Sequence, residues 1–173
     1  MFATAYICII KSIRLNILLE DLILHNTRIL VDADACPVKD IIVKVAKEFK
    51  LKVIMFTDTS HIIEDGYSQV ITVSQGKDAV DIALINQTQK GDIVVTQDYG
   101  VATMALGKQA YAINQNGLIY NEANIDRLLM ERYIAQKVRR AGGRTYNPKK
   151  RSEKANIDFE RSLRKLCKSI LNM

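Results

Sequence analysis

Six aspartates offer this chain its clearest chemistry: Asp32, Asp34, Asp58, Asp78, Asp81 and Asp98. Carboxylates brought to one place repel each other unless a cation lies between them or they take up protons. An oxygen donor set in a chain with 2 histidines suits Mg2+ or Mn2+ better than Zn2+. All six are therefore candidates for a divalent-cation site. Each also has a structural alternative. Asp78 could be a helix N-cap, with Asp81 favoured in the first turn by the helix dipole. Asp98 could cap a helix beginning at Tyr99, and Asp58 could begin a turn. Asp34 lies two residues before Cys36-Pro37 and is poorly explained by capping.

The elements that must position these residues alternate. Apolar runs predict strands over 28–31, 51–56, 68–73, 93–96 and 109–113. Helical periodicity covers 36–50, with Pro37 suited to a first turn, then 78–87, 99–106, 125–138 and 157–171. Asn116-Gly117 signals a turn before the apolar triplet 118–120. Short continuous apolar strands alternating with helices predict an α/β fold, an open parallel sheet of about five strands with helices on both faces. Ligands of such sheets bind beyond the carboxyl ends of the strands. Asp32, Asp34, Asp58 and Asp98 follow predicted strands, and Asp78 and Asp81 open the helix entered from the third. All six are thus expected at one rim.

With 173 residues, 48% hydrophobic and 25% charged, the chain suits one compact domain with appendages and not a disordered or fibrous protein. Residues 1–136 carry 13 Lys+Arg against 16 Asp+Glu, whereas residues 137–173 carry 12 against 3. A near-neutral body with a basic tail predicts a polyanionic partner, nucleic acid being the usual one, unless the tail is simply a solvated basic helix. Arg139, Arg140, Arg144, Lys149, Lys150 and Arg151 are its candidate contacts. Three cysteines without a C-x-x-C pair predict no disulfide framework and a reducing compartment, the cytoplasm. Cys36, at a helix start, could have a lowered thiol pKa or be a packed small residue. His61 could be a general base or a solvent-facing loop residue. The apolar run 2–10 is too short to span a membrane and has no basic residue before it. The expected organisation is an accessory extension over 1–27, the α/β domain over 28–138, and a basic loop with a C-terminal helix packed on the domain over 139–173.

At Val31-Asp32-Ala33-Asp34-Ala35-Cys36-Pro37 the chain resembles the bacterial YaiI/YqxD family. Further matches are Asp78-Ala79-Val80-Asp81, Gly91-Asp92-Ile93-Val94-Val95-Thr96-Gln97-Asp98, Asn124-Ile125-Asp126 and Arg139-Arg140, so the resemblance covers about residues 28–171. That family is placed with PIN-like domains, whose better-known members are metal-dependent ribonucleases. The resemblance implies a PIN-like fold and a metal-dependent nuclease acting on RNA, with possible homodimers. Asp32 matches the acid after strand one, Asp78 or Asp81 the helix acid, and Asp98 the acid after strand four. Asp34 is a family-specific addition, so the resemblance implies Asp32, Asp78, Asp81 and Asp98 as metal ligands and Asp32, Asp34, Asp81 and Asp98 as catalytic groups. In such a nuclease two divalent ions activate a water and stabilise the leaving oxygen, and the segment 139–151 would hold the phosphate backbone. The chain departs from the family pattern at Gln115-Asn116-Gly117, where Pro-Arg-Gly is usual, at Asn147 and at Lys154-Ala155-Asn156.

Two other functions start from the same residues. Asp32-Ala33-Asp34 after an apolar strand also fits an aspartate-nucleophile phosphatase of the haloacid dehalogenase type, with Asp32 attacking phosphorus and Asp34 protonating the leaving group. Thr57 or Thr59 and Lys77 would hold its phosphate. Against this, position 36 is Cys, and Tyr99-Gly100 follows Asp98. The third function is a non-catalytic nucleic-acid-binding module.

Overall fold

The computed structural model describes residues 27–34, 36–60, 62–76, 78–143 and 150–171. Among them six strands and five helices alternate: β1 (Arg28–Asp32), α1 (Lys39–Phe49), β2 (Lys52–Asp58), β3 (Gln69–Val73), α2 (Ala79–Gln87), β4 (Ile93–Val95), α3 (Tyr99–Gly107), β5 (Tyr111–Ile113), β6 (Ile119–Tyr120), α4 (Glu122–Arg140) and α5 (Glu153–Leu171). The sheet order is β3-β2-β1-β4-β5-β6. The first five strands run parallel, and β6 pairs antiparallel with β5. This is the open, mostly parallel α/β architecture expected, with one strand more than the five anticipated. The triplet after Asn116-Gly117 is the source of that strand: Asn114 and Leu118 close a tight turn, which folds Ile119 back onto Ile113.

Strand alternation sorts the core into two layers. Ile29, Val31, Val53, Met55, Ile93 and Val95 face one side, where Ile42, Val45 and Ala46 of α1 and Phe159, Leu163 and Ile170 of α5 cover them. Leu30, Ile54, Phe56, Val94 and Ala112 face the other, under Leu84 of α2, Val101 and Ala105 of α3, and Ile125 and Leu128 of α4. Helices cover both faces of β1, β2 and β4, and for that reason those strands read as unbroken apolar runs, whereas the edge strand β3 is only partly covered.

Helix boundaries shift where local chemistry outweighs periodicity. A turn from Ala33 to Cys36 holds Pro37 outside α1, whose first bond joins Ile42 to Val38. The α4 helix starts earlier than its apolar pattern because Asn121 and Asn124 form a reciprocal capping box. The α5 helix also begins ahead of its apolar stripe. Gly117 is required where it stands: its φ is +88°, and a Cβ there would lie 2.8 Å from Asp158 O. That close approach seats the β5–β6 turn against α5.

Candidate functional site

The chain leaves β1 toward β2 on one side and toward β4 on the other, so the topological switch point lies between β1 and β4. Asp32 ends β1, and Thr96 follows β4 directly opposite. The buried Thr96 hydroxyl donates to Asp32 Oδ2 at 3.3 Å and accepts from the Asp98 amide at 3.0 Å. One threonine thus orients the acids of both strands.

Asp98 is a working cap. Its Oδ1 accepts from Gly100 N at 2.6 Å and Val101 N at 3.2 Å, and its Oδ2 accepts from Arg132 Nη1 of α4 at 2.8 Å. A Cβ on Gly100 would sit 2.9 Å from Asp98 Oδ1, so glycine leaves room for the carboxylate. Burial pushes Asp98 up, but the Arg132 bond and the Val101 and Gly100 amides outweigh it, and its pKa lies below the usual carboxylate value.

Asp78 occupies the N-cap position of α2 in a left-handed conformation, φ 60°, yet its side chain makes no capping bond. Capping accounts for its position and not for its carboxylate. Asp81, one turn on, has its pKa raised to about 6 by burial and then by the charges of Asp32, Asp98 and Asp78, with Arg132 opposing. Asp32 is also raised, first by burial and then by Asp34 and Asp98, against the Thr96 hydrogen bond. Asp32, Asp78 and Asp98 are therefore close enough to disturb Asp81. Asp78, Asp81 and Asp98 line a cleft of about 440 Å³ between α2 and α3, walled by Ile82, Ile85, Val101 and Met104.

Asp34 and Asp58 are turned to other bonds. Asp34 Oδ1 accepts from the Thr57 hydroxyl at 2.6 Å and from Asp58 N at 3.0 Å, tying the exit of β1 to the end of β2. The same bond engages Thr57, one of the groups a phosphatase would aim at phosphate. Asp58 Oδ1 accepts from Ser60 N at 2.7 Å, the turn expected of it. Cys36 is buried, and burial pushes its thiol up to about 11, so it is packed and not an activated nucleophile.

The basic candidates separate. Arg139 and Arg140 end α4, an exposed stretch in which nothing beyond Leu128 is buried. Arg151 is tied into the fold: it donates to Asn156 Oδ1, Asn116 Oδ1 and the Gln115 carbonyl, pinning the start of α5 to the β5–β6 turn. Lys150 is exposed. Arg144, Lys149, His61, Lys77 and the extension over 1–26 lie outside the described residues.

Sequence reasoning missed Arg132. Its guanidinium also stands 5.8 Å from the centroid of the Tyr99 ring, and it lines a second cleft of about 600 Å³ with Gln97, Tyr99, Glu131, Ala135 and Arg139. The available signal was the seven-residue spacing of Arg132 and Arg139, which places both on one helix face.

The donor chemistry of the rim fits a hard divalent cation: all oxygen, with repulsion that such a cation relieves. The closed geometry is a separate matter. Among the described residues no three His, Cys, Asp or Glu side chains form a group that could hold a metal ion as they stand. Among the same residues no helix is long and apolar enough to cross a membrane.

Residues 30–169 match the family described as "Uncharacterized BCR, YaiI/YqxD family". A "UPF0178 protein" of Ruminiclostridium cellulolyticum is 65% identical over 136 residues, covering 79% of this chain and 89% of the relative. One of Lachnoclostridium phytofermentans is 56% identical over 146 residues, covering 83% and 98%. One of Clostridium kluyveri is 54% identical over 145 residues, covering 84% and 93%. No solved structure matches. With the matched span running from the first core strand to the last helix, this chain belongs to the YaiI/YqxD family.

Proposed function

We propose that the chain is a divalent-metal-dependent phosphodiesterase acting on RNA. The observation that carries this reading is the placement of acids at the switch point: Thr96 bonds both Asp32 and the Asp98 amide, and Asp78, Asp81 and Asp98 line one cleft. Burial and the charges of Asp32, Asp98 and Asp78 push Asp81 up to about 6, and groups perturbed in this way cluster at functional sites. Asp32, Asp78, Asp81 and Asp98 are the residues that would hold Mg2+ or Mn2+. When bound, the cation supplies an activated water and charge stabilisation at a phosphoryl group.

The chain's own residues do the positioning. Thr96 fixes Asp32 and the Asp98 backbone. The Gly100 and Val101 amides fix one Asp98 oxygen, so only Oδ2 can change partner. Arg132 holds that oxygen. Asp34 braces the exit of β1 through Thr57 and Asp58 N, a positioning role for Asp32.

The test is thermal unfolding with and without millimolar Mn2+, alongside cleavage of a labelled RNA. Wild type should be stabilised by the cation, and the Asp32→Asn/Asp98→Asn double variant should neither be stabilised nor cleave. Equal stabilisation of the two proteins, or RNA left intact by wild type, overturns the reading.

A further inference from the structure

The cleft beside the carboxylate rim has its own chemistry. Arg132 and Arg139 project from one face of α4, about 10 Å apart along its axis by the helical rise. Ala135 between them keeps that face low, and Gln97 of the β4–α3 turn and Tyr99 at the start of α3 form the opposite wall. Glu131, the acid in the lining, is already paired with Arg127 at 2.6 Å. Asp98 belongs to the neighbouring acidic cleft, and its bond to Arg132 joins the two.

From this juxtaposition we propose that the Arg132–Arg139 cleft binds the backbone of single-stranded RNA, with Arg132 as the anchor next to the carboxylates. The inference deepens the phosphodiesterase reading and rests on it for the position of the scissile bond. Spread along the helix in this way, the two arginines suit a ligand with more than one phosphate, as the consecutive phosphates of a strand supply. A guanidinium carries five N–H donors, and the Asp98 bond uses one. That pair is open to exchange: the Arg132 side chain is 54% exposed and Asp98 34%. The part-buried Tyr99 ring, with the Arg132 guanidinium 5.8 Å from its centroid, offers an unpaired base an aromatic edge of the cleft, and a duplex keeps its bases turned inward.

The experiment uses the full chain in EDTA and a labelled, fully 2′-O-methylated RNA of ten nucleotides, read by fluorescence anisotropy. Arg132→Gln should weaken binding about tenfold and reduce the salt slope by about one, and Arg139→Gln should act in the same direction. Arg161→Gln, on α5 across the sheet, should change binding less than twofold. Arg132→Lys should recover part of the loss by restoring charge without the planar fork. Equal losses in Arg132→Gln and Arg161→Gln overturn the proposal, as does equal affinity for the matching duplex or no binding by wild type. The reading is made without metal, so the two ideas fail separately. Binding through Arg132 without Mn2+-dependent cleavage removes the hydrolase and keeps the cleft. Cleavage with an indifferent Arg132→Gln does the reverse.

Discussion

Asp92 and Asp98 stand before and after the same three-residue strand, and each faces an arginine. At the amino end Asp92 is fully buried. Its Oδ1 accepts from Arg28 N at 3.2 Å and Nε at 3.1 Å, and its Oδ2 from Arg28 Nη2 at 2.6 Å and Gln89 N at 2.8 Å. Four donors surround one carboxylate, and they join the starts of β1 and β4. At the carboxyl end Asp98 meets Arg132 in the open, with Asp81 and Asp32 near enough to feel its charge. A buried charge is tolerable only when every lone pair is satisfied. The Asp98–Arg132 pair is half-exposed, and Asp98 and Asp81 both favour the charged guanidinium there.

The largest effect should come from breaking the enclosed pair. Asp92→Ala leaves Arg28 without its partner, and urea unfolding should show a loss of about 3 kcal/mol. Asp98→Ala removes a cap and should cost about 1 kcal/mol in the same assay, with Asp98→Asn close to wild type because Asn also caps. Arg132→Gln should cost less than about 1 kcal/mol, the usual range of exposed ion pairs, while RNA binding falls as described above. If Arg132→Gln proved as damaging to stability as Asp92→Ala, the contrast between the two ends would be lost.

The smallest effect is a gain. Asp81 is raised to about 6 from its ordinary 3.8, so the folded chain takes up its proton before the unfolded chain does. The folded state should therefore gain stability as pH falls through about 6 toward 4, and above 6 the charge repulsion is present in full. Thermal melts in EDTA should show Asp81→Asn slightly more stable than wild type at pH 7.5, with the difference shrinking at pH 5. A destabilised Asp81→Asn at pH 7.5 would contradict the repulsive rim.

The order of strands and helices was legible because the central strands β1, β2 and β4 are buried on both faces and each helix on one. Residues 93–95 had to be apolar throughout, and Asp32 and Asp98 had to follow strands. The β6 strand was harder to see, since two residues carry no period and a turn glycine against α5 decides their pairing. Among the acids, spacing could not distinguish Asp34, which braces β2, from Asp81, which faces other carboxylates. Their roles depend on which oxygen meets which donor.

The sequence by itself determined the alternation of elements, the edge of the sheet at which acids collect, and the family. Those follow from local periodicity and from side-chain types that are the same in any context. Only the tertiary structure decided that Asp98 is held by Arg132 and that Arg151 is tied to the β5–β6 turn. It also decided that a basic cleft opens beside the acidic one. Arg132 lies 34 residues from Asp98, and no pattern along the chain encodes that distance closing. It closes because Ile125 and Leu128 seat α4 on the sheet and the rest of that helix carries Arg132 past the ends of the strands.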